Sequence, residues 1–197
     1  SSRYLARAAY EVVGMDLLGT GASPGWAEPF AGDEGRQVAA VIEHVAAEPW
    51  CTGAVGAFGL SYGAWTTYQV AALDPEPLGA VVPVSVTPAA YRSSWTGGAF
   101  NLLKRATWPV SMYASAALPP SRRDPDGRWA AVWEARLDHL RSAEPWLFSL
   151  LEHPTEDEFW ASRRVDPADV SVPTLAACGY RDVHTGPMVE FVEAIDA

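Results

Sequence analysis

Ala54–Leu73 reads AVGAFGLSYGAWTTYQVAAL, and the break at Ser61 decides the fold. Ala54–Gly59 is a compact apolar run of strand length. Tyr62–Leu73 reads as a helix, closed by Asp74 and Pro75, because proline cannot continue a helical ladder. Between them stands Gly59-Leu60-Ser61-Tyr62-Gly63, the G-x-S-x-G pattern of a sharp strand-to-helix turn that presents a serine hydroxyl. A residue following such a serine keeps its N–H at a helix N-terminus, where the backbone dipoles favour negative charge. Tyr62 is therefore the expected oxyanion donor, and Gly59 and Gly63 are expected where strand and helix approach closely.

The same pattern occurs once more, at Gly21-Ala22-Ser23-Pro24-Gly25. Here the residue after the serine is proline, which has no N–H to offer an oxyanion, and the chain continues as loop rather than helix. Ser61 is the expected nucleophile and Ser23 is not. The surrounding GTGASPG also lacks the third glycine of a dinucleotide loop, since Pro24 stands there and no helix opens on it.

Outward from Ser61 the pattern repeats. Residues 10–16, YEVVGMD, read as a short buried strand. From Asp33 to about Ala47 the apolar residues Val38, Val41, Ile42 and Val45 recur at spacings of three and four, an amphipathic helix. Gly79–Val86 is β-branched and apolar, a further strand. Strands alternating with helices over short links imply right-handed crossovers and a parallel sheet buried on both faces. From Thr87 to about Arg164 there is no convincing strand, only helix-like pieces such as 129–142 and 144–151. An apolar strand returns at Val172–Cys178 and a helix at 186–195. The expected organisation is a first core part, 1–87, a helical cap insertion, 88–165, and a second core part, 166–197.

In a serine, acid, histidine chain order the acid follows a later strand. Strand 172–178 runs into Gly179-Tyr180-Arg181-Asp182, which makes Asp182 the expected acid; Asp166 and Asp169 precede that strand and lie at its other end. Of His44, His139, His153 and His184, only His184 follows Asp182, two residues on. An acid and a base on one tight loop would crowd one site, so the base is expected beyond residue 197.

Bulk properties narrow the class. Hydrophobic residues make up 49% and charged ones 19% of 197 residues, which is a globular composition. The net charge of −10 argues against a nucleic-acid or polybasic membrane footprint. No run is long and apolar enough to span a membrane. The start, SSRYLARAAYEVV, lacks the order of a signal peptide and has no Met, so a missing natural N-terminus and a cytoplasmic location are expected. Cys51 and Cys178 are expected as two buried thiols. Six of the nine tryptophans lie between Trp95 and Trp160, an unusual aromatic load for the insertion.

Together these motifs resemble the cocaine-esterase and X-Pro dipeptidyl-peptidase (NonD-type) serine hydrolases over nearly the whole chain. Asp16-Leu17-Leu18-Gly19-Thr20-Gly21 with Ser23 and Gly25 looks like the family's strand exit, and Pro49-Trp50-Cys51-Thr52-Gly53 its approach to the nucleophile strand. Tyr91-Arg92 and Gly97-Gly98-Ala99 are similar to the start of its cap; Asp166-Pro167, Val172-Pro173 and Gly179-Tyr180 with Asp182 look like the return to the sheet. Leu18, Ala64 and Ala89 depart from the family's usual arginine, glycine and acid.

The resemblance implies an α/β-hydrolase fold, a parallel sheet core with an inserted helical cap. It implies acyl-enzyme hydrolysis of an ester, an amide or an X-Pro-type peptide, with Ser61 and Asp182 catalytic and no cofactor or metal. It places a second oxyanion donor (a tyrosine hydroxyl), the histidine loop and a jelly-roll domain outside these residues. By analogy Trp95 and Trp108, just inside the cap, face the acyl side of the pocket. The expected partners are a small-molecule ester, amide or short peptide, with no nucleic acid and no membrane. A different class stays open: a non-catalytic binding module on the same fold, which the missing histidine would support if the gene ended at residue 197.

Overall fold

The structure, a computed structural model, describes residues 2–121 and 124–195. A short helix α1 (Ser2–Arg7) leads through an irregular segment to helix α2 (Glu34–Ala46). Strand β1 (Val55–Leu60), helix α3 (Tyr62–Leu73) and strand β2 (Leu78–Val84) come next over short links. β1 and β2 pair in parallel, Phe58 opposite Val82 and Leu60 opposite Val84, with α3 as the crossover that a parallel pair requires. Ala64–Ala71 is buried throughout. A helix without a solvent face belongs inside a fold, and α3 fills the space between the sheet and α2, on which it packs.

The chain rejoins the sheet at residues 172–178, in parallel with β2. Leu175 N–H donates to Val81 O at 3.0 Å and Ala177 N–H to Pro83 O at 3.0 Å, while Ser85 N–H donates to Ala177 O at 2.8 Å. Pairing is confined to the bridges Val81–Thr174 and Val84–Ala177. The expected strand at 10–16 does not form. That stretch has no ladder partner among the described residues, and Tyr10, Val12, Val13 and Met15 are exposed. Its apolar run meets the composition of a strand but not the pairing that makes one.

Between the sheet segments lie helix α4 (Ala90–Ser94), strands β3 (Trp95–Thr96) and β4 (Ala99–Phe100), and helices α5 (Leu102–Ala116), α6 (Trp129–Leu140), α7 (Trp146–Glu152) and α8 (Glu158–Ala161). The ribbon β3–β4 is antiparallel, a departure from the all-helical expectation. Its turn residues Gly97 and Gly98 have φ of 58° and 80°, which a two-residue hairpin turn requires and glycine supplies without strain. A 3₁₀ turn, Pro167–Asp169, precedes the return, and helix α9 (Thr185–Ile195) comes after it. Phe30, Ile42, Trp65, Tyr68, Val81, Trp160 and Phe191 form one core, so α8 is tied to the same interior as the sheet. Cys51 and Cys178 are free and half-buried rather than buried.

Candidate active site

Three chain segments deliver polar side chains to one end of the sheet. Ser61 follows β1, Thr87 follows β2, and Asp182 and His184 follow the pairing segment 172–178. In parallel sheets this carboxyl end is where ligands are held. Ser61 sits at the β1–α3 junction with φ 55° and ψ −118°, a region that costs a non-glycine residue about 1–3 kcal/mol and persists only when its surroundings enforce it. The enforcement is visible: Ser61 N–H donates to Val84 O at 2.8 Å, and Ser61 O accepts from Ala64 N–H at 2.9 Å and Trp65 N–H at 3.1 Å. A Cβ on Gly59 would stand 2.0 Å from Gly63 O, so only glycine lets strand and helix approach so closely. Gly63 is different, since a Cβ there would meet nothing within 4 Å; close approach demands the first glycine and not the second.

Ser61 opens into a cavity of about 410 Å³. Tyr62 and Phe30 line it from below, Val86, Thr87 and Ala90 from the end of β2, and His184 from the far loop. Arg105, Thr107, Trp108 and Ser111 line it from α5. Trp108 stands 5.3 Å from Phe30 and 5.5 Å from Tyr62 between ring centroids, a tilted aromatic wall. Trp95 is not among the lining residues. Its indole packs edge-on against Phe100 at 5.1 Å, which makes it the brace of the β3–β4 ribbon.

Asp182 Oδ1 accepts the backbone N–H of His184 at 2.9 Å, and His184 Nδ1 pairs with Thr87 Oγ1 at 2.8 Å. His184 therefore reaches the cavity that sequence spacing had set it aside from. The other histidines stand elsewhere. His153 pairs with Asp157 Oδ2 at 2.6 Å, His139 packs on Trp26 at 4.2 Å, and His44 lies 3.6 Å from Glu48.

Ser23 is tied into its loop, its hydroxyl donating to Asp16 O at 2.8 Å. Arg136 from α6 holds that loop by donating to Gly21 O and Ser23 O at 3.1 and 3.2 Å. Asp166 caps the 3₁₀ turn through Ala168 N–H at 3.1 Å. Among the described residues no group of three or more His, Cys, Asp or Glu is placed to hold a metal ion, and no helix is long and apolar enough to cross a membrane.

The sequence reading missed Glu34. Glu34 is 4% exposed. It accepts from Phe30 N–H at 2.6 Å, Gly32 N–H at 2.9 Å, Tyr62 O–H at 2.8 Å and Gln69 Nε2 at 3.2 Å. Four donors on one buried acid fix the loop that carries Phe30 and the ring of the residue after Ser61. Burial, then the charge of Glu34 and its hydrogen bond, hold the Tyr62 phenol well above the ordinary tyrosine range, against a smaller pull from the Phe30 backbone. Arg105 and Thr87 were missed likewise, whereas His184 was weighed as the base and passed over for a histidine beyond residue 197. No local pattern marks such residues; an acid in the first turn of α2 looks like ordinary helix capping.

Residues 2–197 match the model of the X-Pro dipeptidyl-peptidase (S15) family. The cocaine esterase of Rhodococcus sp. (strain MB1 Bresler) is 27% identical over 210 residues, covering 96% of this chain and 36% of that protein. A CocE/NonD family hydrolase from Staphylococcus aureus superimposes with a TM-score of 0.63 at 27% identity, covering 79% of this chain and 25% of that one. An aminopeptidase from a marine sediment Thaumarchaeota archaeon superimposes with a TM-score of 0.64 at 21% identity, covering 92% and 34%. The chain spans about a third of the length of such relatives.

Proposed function

The chain belongs to the X-Pro dipeptidyl-peptidase (S15) family, whose fold is that of the α/β-hydrolases, and from that premise we propose that it carries the nucleophile and the acid of a serine hydrolase. Ser61 Oγ attacks the carbonyl carbon of an ester or amide and gives its proton to an imidazole. The tetrahedral oxyanion accepts from Tyr62 N–H, at the N-terminus of α3 where no side chain competes as a cap. The leaving alcohol or amine takes the proton as the C–O or C–N bond breaks, and water then hydrolyses the acyl-enzyme. Asp182 orients the imidazole. His184 is the imidazole that lines the cavity among the described residues; the family resemblance gives the role to a histidine on a later loop.

The observation that carries this reading is the φ of 55° at Ser61. Strain at a serine between a strand and a helix, opening into a cavity, has a purpose in presenting a nucleophile and none in packing. Arg105, Thr107, Trp108 and Ser111 on α5 support residues 88–165 as a cap over that serine, with Trp108 as an acyl wall. The test is hydrolysis of p-nitrophenyl esters by the protein and its variants. Ser61→Ala should lower kcat by roughly 10⁶, and undiminished turnover would refute the assignment. His184→Gln decides the base: a loss of comparable size gives the role to His184, and retained kcat gives it to another histidine.

A further inference from the structure

Arg105 is a buried cation with no acid beside it among the described residues. It lies in the first turn of α5 and is 8% exposed. Its Nε–H donates to Ser93 O at 3.2 Å, Nη2 bonds Ser93 Oγ, and the guanidinium lies over the Phe30 ring, 5.4 Å from its centroid. Among the described residues no carboxylate lies within ion-pair distance of it, although seven other such pairs are present, all on Arg or His. Burial alone pulls its pKa down, to about 10, with the charge kept at neutral pH.

A guanidinium out of water and without an anion is costly, and such charges are ordinarily paired. Holding Ser93 uses two of five donors and needs no charge. The same side chain lines the cavity that holds Ser61, together with Thr87, Thr107, Ser111 and His184, and no Asp or Glu lines it. In a chain of net charge −10, an acid-free cavity around a buried arginine is set apart from the rest of the surface.

We propose that Arg105 is an anion-binding subsite of this cavity, and that the enzyme acts on esters or amides bearing a carboxylate at a fixed distance from the scissile carbonyl. The assignment rests on Ser61 being the nucleophile. Guanidinium and carboxylate match as planar, two-pronged partners, which gives direction as well as attraction. The aromatic wall of Phe30, Tyr62 and Trp108 takes the apolar chain between the two ends.

The test compares the mono-p-nitrophenyl ester of adipic acid with p-nitrophenyl hexanoate, equal in carbon number and different in the terminal carboxylate. The protein should favour the adipate ester in kcat/KM by roughly 10- to 100-fold, the scale of a charge-assisted hydrogen bond. Arg105→Met should abolish that preference, bringing kcat/KM for the adipate ester down to that for hexanoate, and Arg105→Lys should keep part of it. Free adipate should bind Ser61→Ala by calorimetry, and should not bind Ser61→Ala with Arg105→Met. Arginine-dependent adipate binding without turnover of either ester would uphold the subsite and sink the Ser61 reading instead. Equal use of both esters with no adipate binding would overturn the proposal. So would an Arg105→Met variant, folded by its melting curve, that keeps the preference or loses both activities alike. Should Arg105→Met fail to fold, an unchanged preference in Arg105→Lys would overturn it as well.

Discussion

Replacing Glu34 by glutamine changes one oxygen to an NH₂ group and should still be among the most damaging conservative substitutions in this chain. In the structure Oε1 serves Phe30 N–H and Tyr62 O–H, and Oε2 serves Gly32 N–H and Gln69 Nε2, at 2.6 to 3.2 Å. Glutamine can keep its oxygen on the first pair, but its NH₂ group then faces two donors. A buried donor left without an acceptor costs about 1–3 kcal/mol, and the surviving bonds lose their charge assistance. The expected loss is roughly 3–5 kcal/mol, a large fraction of the stability of a typical domain. Tyr62→Phe removes a single donor and leaves the acid with three, so roughly 1 kcal/mol is expected. Because both act on one carboxylate, the double variant should cost less than the sum. Urea unfolding of the four proteins, read as midpoint and slope, measures each value. A loss below about 1 kcal/mol in Glu34→Gln, or strict additivity with Tyr62→Phe, would refute the description of Glu34 as the shared acceptor.

Three other outcomes are expected. Gly59→Ala forces a Cβ to within 2.0 Å of Gly63 O, so the β1–α3 junction must open; esterase activity and the urea midpoint should both fall, whereas Gly63→Ala should spare the midpoint. The Tyr68 phenol, 0% exposed, is pushed up to about 12 by burial and then by Cys178. Its folded pKa exceeds its unfolded one, so stability that is intact below pH 10 should decline as pH rises from 10 towards 12, and Tyr68→Phe should flatten that part of the profile. Trp108→Ala should weaken use of bulky or aromatic acyl esters while sparing acetyl esters; Trp95→Ala, which loses packing on Phe100 and on the core, should lower the melting temperature and treat large and small acyl groups alike.

The parts of the fold legible in the sequence are those whose signal is local. β1, α3 and β2 declare themselves through an apolar run, a buried helix and a β-branched run, and Pro24 with the loop that follows it separates the decoy serine from Ser61. Residues 10–16 carry the same kind of signal, yet pairing is a property of neighbours, and the segment stays exposed without one. The β3–β4 ribbon was readable in principle, since Gly97-Gly98 between Trp95-Thr96 and Ala99-Phe100 is a hairpin signal. The rest of the site depends on contacts between residues distant in the chain. Glu34 meets Tyr62 28 residues away, and Thr87 meets His184 97 residues away. Spacing suggested that Asp182 and His184 would crowd one another. In the structure the tight turn lets the acid hold the backbone N–H of His184 while the ring reaches Thr87.

Labelling with a fluorophosphonate, then peptide mapping, tests the central claim most directly. The reagent phosphonylates a serine only where the hydroxyl is activated and the developing oxyanion is held. Tyr62 offers its N–H beside Ser61, and Pro24 offers none beside Ser23. The account predicts one adduct, on the peptide containing Ser61, absent from Ser61→Ala and reduced in Gly59→Ala. An adduct on Ser23, or an unlabelled Ser61 in protein that hydrolyses p-nitrophenyl esters, would contradict it.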